Sequence, residues 1–433
     1  MSDFHLDKSK AYSTRAREVL PGGNSRSTID LKPHPIYVTH GEGSKVFDVD
    51  GNTYVDFNNN YTSLILGHAN TLVNEAVQAQ VLRGSAFAFG TVEEVEHAEL
   101  LTSRIPTFDQ IRFMNSGSEA VMNALKAARA YTGRPKIAKC EGAYHGSYDY
   151  AEVSLSAGPA NWGKNSPQSV PHSKGTPQGV LDDVLVIPYH DTMAARELLL
   201  SEADNLSAIL FDPVASRVGM IPPTDDYLAM LVEFCAANGV LLIFDEVIAL
   251  RLGYEGAQGV YGVTPDLTAL GKIIGGGFPV GAVAGKAEVM RVFESGGGLP
   301  HGGTFNANPV TMVAGMATMK QMDAAAFDKI NAMGDFARER FARAFTDCGI
   351  AAQVTGQGSL LRIHLTGREL RDYRTVYPTA EESAHMASVH QYLLAAGFFI
   401  SSYGMVCLST ENTEAEVLGL VDACVNGITA YAN

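Results

Sequence analysis

Apolar and polar positions along the chain follow two periods. Two alternating runs, from Val46 to Val49 and from Asn52 to Phe57, meet at Asp50-Gly51, which predicts a β-hairpin. A leading helix and an irregular Gly22-Gly23-Asn24 stretch precede it. From Ile111 to about Gly285, short apolar runs alternate with segments of helical spacing, and that alternation predicts a parallel sheet covered by helices. One βαβ unit is explicit: Ile209-Leu210-Phe211-Asp212-Pro213 ends a strand, Tyr227 to Ala237 has helical spacing, Asn238-Gly239 stops it, and Val240 opens the next strand. After Pro309 the pattern turns to a long helical segment, a strand at Ser359 to Leu365, a helix near Ser383 to Ala396, and a closing strand and helix, which together read as a smaller α+β unit. At 433 residues, two or more packed units are expected rather than one core.

Charge and cysteine usage narrow the function classes. Lys plus Arg number 32 against 47 Asp plus Glu, a net charge of -15, which repels nucleic acid and anionic membranes. Small anionic substrates stay open, because a local arginine overrides the global field inside a pocket. The five cysteines (Cys140, Cys235, Cys348, Cys407, Cys424) are scattered without Cys-x-x-Cys spacing, so they are expected as reduced, mostly buried thiols. His145, His172, His190 and His301 lack metal-ligand spacing, and no metal is expected. The start of the chain is polar and acidic and no stretch approaches membrane-spanning length, so the cytoplasm is the expected location.

Candidate chemistry gathers where strands end. Asp245 closes the apolar run Val240 to Phe244, and Lys272 lies in Leu270-Gly271-Lys272-Ile273-Ile274-Gly275-Gly276-Gly277. A desolvated lysine amine forms a Schiff base with an aldehyde, and an acid at the end of a buried strand holds a pyridinium nitrogen protonated. Together they point to a pyridoxal phosphate enzyme; singly, the lysine is as well read as a surface charge and the acid as a cap or a metal ligand. Asn115-Ser116-Gly117-Ser118 runs straight into an alanine-rich helix, a turn that suits either an ordinary N-cap or a phosphate on free backbone N–H groups. Tyr144-His145-Gly146 follows the strand Lys136 to Cys140, so Tyr144 is placed to stack on a flat ring, while His145 is either a loop histidine or a neighbour of the cofactor. A nicotinamide site fails on the glycine-rich run: three residues after Gly277 comes Val280, and Pro279 interrupts any helix.

With those residues in view, the chain resembles the class III aminotransferases of fold type I over essentially its whole length. The resemblance rests on Asn115 to Ala120, Tyr144-His145-Gly146, Phe244-Asp245-Glu246-Val247, Gly271-Lys272 with its triple glycine, and Gly303 to Pro309. It implies an α/β fold with a large domain at 61–310, built on a mostly parallel seven-stranded sheet, and a smaller α+β domain at 311–433 joined by residues 1–60. It further implies pyridoxal 5'-phosphate held by Ser116, Gly117 and Ser118 at the phosphate, Tyr144 and Val247 about the ring, Asp245 at the ring nitrogen and Lys272 as Schiff-base lysine and proton shuttle. Thr304 is implied to reach the phosphate of a neighbouring subunit, and hence a homodimer with shared sites.

Within the family the chain is similar to the glutamate-1-semialdehyde aminomutase branch at Asp48-Val49-Asp50-Gly51-Asn52 and Ile65-Leu66-Gly67-His68-Ala69. It departs at Asp212-Pro213-Val214-Ala215-Ser216-Arg217, which lacks the usual asparagine and leaves Arg217 or Ser216 as substitutes, and at Tyr61, where the branch has tryptophan. Gly23-Asn24-Ser25-Arg26-Ser27 and Arg251-Leu252 look instead like β-phenylalanine aminotransferases, which makes Arg26 the expected bidentate partner of a substrate carboxylate. Tyr61, Arg217 and Arg251 join it as candidate substrate contacts. Phe87 and Phe89 are candidates for an apolar subsite, with a half-buried strand as the other reading of their period-two spacing. Ser401 to Val406 carries no arginine, so a monocarboxylate acceptor such as pyruvate is expected over a dicarboxylate. The expectation is a ping-pong aminotransferase acting on a β- or ω-amino acid or related amine; the alternative is a 2,1-aminomutase.

Overall fold

The computed structural model describes residues 4–432. Its centre is a seven-stranded sheet in the order Gln110–Met114, Gly281–Gly285, Leu267–Gly271, Leu241–Asp245, Leu206–Phe211, Lys136–Cys140, Val184–Ile187. Period-two alternation sends successive side chains to opposite faces. Ala208, Leu210 and Ile243 thus enter one apolar cluster, and Ile209, Phe211, Leu242 and Phe244 the other. Helices cover both faces, which is why Leu206–Phe211 is buried at every position. On one face the helix Gly117–Thr132 buries Ala120, Val121, Ala124, Leu125, Ala127 and Ala128, a stripe of mostly small residues that lets it lie close to the strands.

Gly281–Gly285 departs from the expected parallel arrangement and pairs antiparallel with both of its neighbours. The reason is chain length. Only nine residues separate it from Leu267–Gly271, too few for the crossover that a parallel pair needs. The remaining pairs described in this sheet are parallel, so the carboxyl ends of the strands finishing at Met114, Cys140, Asp245 and Gly271 share one edge.

The hairpin forms as Lys45–Asp48 against Thr53–Asp56, and the two-residue strand Phe398–Phe399 extends that sheet from far along the chain. A three-stranded sheet contains Gln353–Thr355, Leu360–His364 and Met405–Cys407. The helical segment after Pro309 is two helices, Pro309–Gln321 and Ala324–Asp347, separated where the Asp323 side chain caps the second. Phe87 and Phe89 form no strand. They lie in an irregular stretch, 51% and 87% exposed.

Arg251 requires a correction of its expected place at the substrate. It is fully buried, and its guanidinium donates to Ser359 Oγ (3.1 Å), to the Thr62 carbonyl (3.4 Å), to the Leu408 carbonyl and to Cys407 Sγ. A guanidinium engaged with acceptors from three separate segments has become a cross-tie between them. Replacing it strands those acceptors and opens a void. Arg251→Ala is expected to lower the unfolding free energy by about 3 kcal/mol in urea titrations; a loss below about 0.5 kcal/mol, the usual surface value, contradicts the cross-tie.

Candidate active site

A cavity of about 420 Å³ opens at the shared carboxyl edge. Its floor comes from the strand ends. Asp245 caps the short helix that follows its strand by accepting the Val247 N–H at 3.0 Å, and its other oxygen takes His145 Nδ1 at 2.8 Å. A carboxylate held at both oxygens has one orientation, so Asp245 is a fixed acceptor rather than a mobile charge. His145 is buried, and that burial lowers its pKa against the opposing pull of Asp245. This resolves the open choice at His145: it is the orienting partner of Asp245.

Lys272 follows its strand in the left-handed region at φ 51°, between extended Gly271 and the left-handed Gly276. That conformation costs a non-glycine residue about 1 kcal/mol or more and is characteristic of functional sites. The amine donates to the Tyr61 carbonyl at 2.5 Å. Burial first, with the charge of Arg251 adding to it, lowers the Lys272 pKa to about 8, while Cys407, Asp245 and Asp212 pull the other way.

The helix Gly117–Thr132 begins at the cavity. Ser116 caps it by accepting the Glu119 N–H (3.1 Å), and Glu119 reaches back to the Asn115 N–H (2.6 Å). Those bonds leave the first turn's remaining N–H groups facing outward at the positive end of the dipole. Two glycines are needed for shape. A Cβ on Gly117 would lie 2.8 Å from Val247 Cγ1, and one on Gly146, at φ 88°, would lie 2.4 Å from Ser118 Oγ. The Tyr144 loop is supported from beneath by Lys139, which is fully buried and donates to the Ala143 and Val153 carbonyls at 2.9 and 2.8 Å.

Of the residues expected at the cofactor, Ser116, Gly117, Ser118, Tyr144, Asp245, Val247 and Lys272 all line this cavity. Arg26 and Tyr61 line it as well. Arg217 does not: it lies in a short 3-10 turn, exposed, and its guanidinium donates to Ser156 Oγ at 3.4 Å. Phe87, Phe89, Arg251 and Thr304 are also absent from the cavity wall of their own chain. In place of Arg217 or Ser216, the acid at the start of that segment, Asp212, reaches the wall. Burial, then the charge of Asp245, raises its pKa well above the ordinary carboxylate range. Sequence reading passed over Asp212, Asn60 and Lys139. The one available signal was a lysine inside the apolar strand Lys136–Cys140.

A depressed amine, a fixed acceptor acid and a helix start with glycine-cleared backbone fit pyridoxal phosphate, and fold and site together define the pyridoxal phosphate enzymes of fold type I. The family model for class-III aminotransferases matches residues 28–411. An ω-transaminase from Sphaerobacter thermophilus superposes with a TM-score of 0.95 at 49% identity, covering 98% of each chain. A β-phenylalanine aminotransferase from Variovorax paradoxus gives 0.89 at 32% identity, covering 98% of this chain and 94% of that one. A curated glutamate-1-semialdehyde 2,1-aminomutase from Methanothermobacter thermautotrophicus is 40% identical over 367 residues, 84% of this chain and 86% of its own. The chain belongs to the class-III aminotransferases, enzymes that depend on pyridoxal phosphate and act on small-molecule amines and keto acids.

Only the neutral amine condenses with an aldehyde, so uptake of the cofactor by apoprotein is expected to accelerate as pH rises through about 8 and then level off. Between about 8 and the ordinary lysine value of 10.5 the folded chain binds fewer protons than the unfolded one, so apoprotein stability rises with pH across the same window. Stopped-flow absorbance checks the rate. A profile that keeps climbing to 10.5 contradicts the buried-amine account.

Proposed function

We propose that the protein is a ping-pong aminotransferase that moves the amino group of a β- or ω-amino acid, or a related amine, to a monocarboxylate keto acid such as pyruvate. The observation that carries this reading is the charge in the cavity wall. Arg26 and Lys272 are the lysine and arginine side chains that line it. With Lys272 committed to the chemistry, Arg26 is the cation left for a carboxylate, and its forked donors suit a bidentate pair.

When bound, pyridoxal phosphate supplies an electron sink for the carbon bearing the amine. Lys272 Nζ would take the proton from that carbon, hold it and give it back. Asp245, oriented by His145 Nδ1 and Val247 N–H, keeps a proton on the ring nitrogen. Ser116, Gly117 and Ser118 hold the phosphate on the helix start, and Tyr144 and Val247 confine the ring. Exposed Phe87, Phe89 and Thr304 support a homodimer in which Thr304 reaches the partner's phosphate; the Asn308 side chain ties its segment to the phenylalanine stretch by donating to the Ser85 carbonyl at 2.7 Å. No helix among the described residues is long and apolar enough to cross a membrane; a cytoplasmic location is part of the same proposal.

Similarity to the aminomutase favours a second reading, intramolecular amino transfer with the product retained. A single half-reaction separates the two. Holoenzyme mixed with one equivalent of a β-amino acid is expected to release free keto product and to stay in the aminated cofactor form until pyruvate is added. Retention of the carbonyl product, with isomerised amine as the only species released, overturns the transaminase reading.

A further inference from the structure

Residues Asn59 to Thr62 form one turn in which every residue is left-handed, with φ values of 50°, 48°, 54° and 75°. None is glycine, and Thr62 is β-branched, so the turn persists only because its surroundings over-determine it. Asp56 Oδ1 accepts the N–H groups of Asn58 and Asn59, both at 2.8 Å, while Asp56 Oδ2 pairs with His68 Nε2 at 2.7 Å. Asn58 Oδ1 accepts the Tyr61 N–H at 2.6 Å, and Asn59 Nδ2 donates to the Cys407 carbonyl at 2.8 Å.

The turn holds both ends of the cavity at once. The Tyr61 carbonyl receives Lys272 Nζ, and Tyr61 Oη donates to the Thr28 carbonyl at 2.7 Å, fixing the segment that carries Arg26. Asn60 Oδ1 accepts Arg26 Nη1 at 2.9 Å. The Asn60 amide is itself oriented, because its Nδ2 donates to Ser63 Oγ at 3.1 Å and Ser63 Oγ donates to the Asn60 carbonyl at 3.0 Å. Arg26 is otherwise an exposed, long side chain on an irregular segment. With Nη1 on Asn60, its Nε and Nη2 remain as a parallel pair for a carboxylate.

We propose that Asn60 is the positioning residue that sets the separation between the carboxylate anchor and the reactive amine, and thereby selects the number of carbons between amine and carboxylate in the donor. The inference rests on the reading of Arg26 as carboxylate anchor. Asparagine meets both demands of the position, since it tolerates the left-handed conformation and carries the acceptor that Arg26 uses. The neighbouring bonds keep the turn in place when the amide is removed, so loss of Asn60 frees the guanidinium rather than the backbone.

The test compares holoenzyme with Asn60→Gly, which retains a residue at ease with positive φ while deleting the acceptor, and with Arg26→Gln. Each is assayed on α-, β-, γ- and δ-amino acids of matched side chain and on an amine without a carboxylate. For Asn60→Gly the expected result is a loss of about tenfold in kcat/KM on the preferred amino acid, carried by KM. The profile across the series flattens, and the loss on the carboxylate-free amine is smaller by about fivefold or more. Ser63→Ala, which releases the Asn60 amide together with one bond to the Asn60 carbonyl and leaves the bonds from Asp56 and Asn58 in place, moves the profile in the same direction by less. Equal losses on both kinds of donor, or an intact spacing profile in Asn60→Gly, overturn the inference while leaving the anchor in place. Retention of the amino acid donors by Arg26→Gln overturns the anchor reading and this inference with it.

Discussion

The site depends on holding a half-buried lysine amine at the end of a buried strand. Leu267–Gly271 is buried throughout, and Lys272 leaves it in a left-handed turn that directs the amine into the cavity wall against the Tyr61 carbonyl. Desolvation penalises the ammonium more than the amine, so the pKa falls. Nearby carboxylates oppose that shift, and Asp212 contributes less charge to the opposition because its own burial favours the protonated acid. The balance leaves a nucleophile at near-neutral pH without a dedicated base.

The second constraint is closeness of backbone. Gly117 and Gly146 bring two loops and a helix start into contact distances that a methyl group would prevent. His145 and Lys139, both buried, spend their donors on holding Asp245 and the Tyr144 loop respectively. Asp245 and the Tyr144 loop are thus each held from another element, the arrangement that preorganised catalysis requires.

Much of this was legible in one dimension. Alternation at Lys45–Asp48 and Thr53–Asp56 announced the hairpin, and Gly239 marked the end of a helix in the βαβ unit, because those signals are local. The lysine and acid could be paired from their flanking glycines and apolar run. Other features depend on contacts between segments far apart in sequence. Arg251 reads as a charged side chain next to a motif, yet it is used up by acceptors that arrive from Thr62, Ser359 and Leu408. Arg217 lies four residues from Pro213 in sequence, yet it is exposed and is not part of the cavity wall. The run Asn58-Asn59-Asn60 marks residues that tolerate left-handed backbone, but the role of Asn60 depends on its contact with Arg26, which arrives from 34 residues away.

A Schiff base on Lys272 is probed by reducing the holoenzyme with borohydride and mapping the modified peptide by mass spectrometry. The predicted result is one phosphopyridoxyl group per chain, on Lys272. Modification at Lys139 or any other lysine, with Lys272 unmodified, contradicts it.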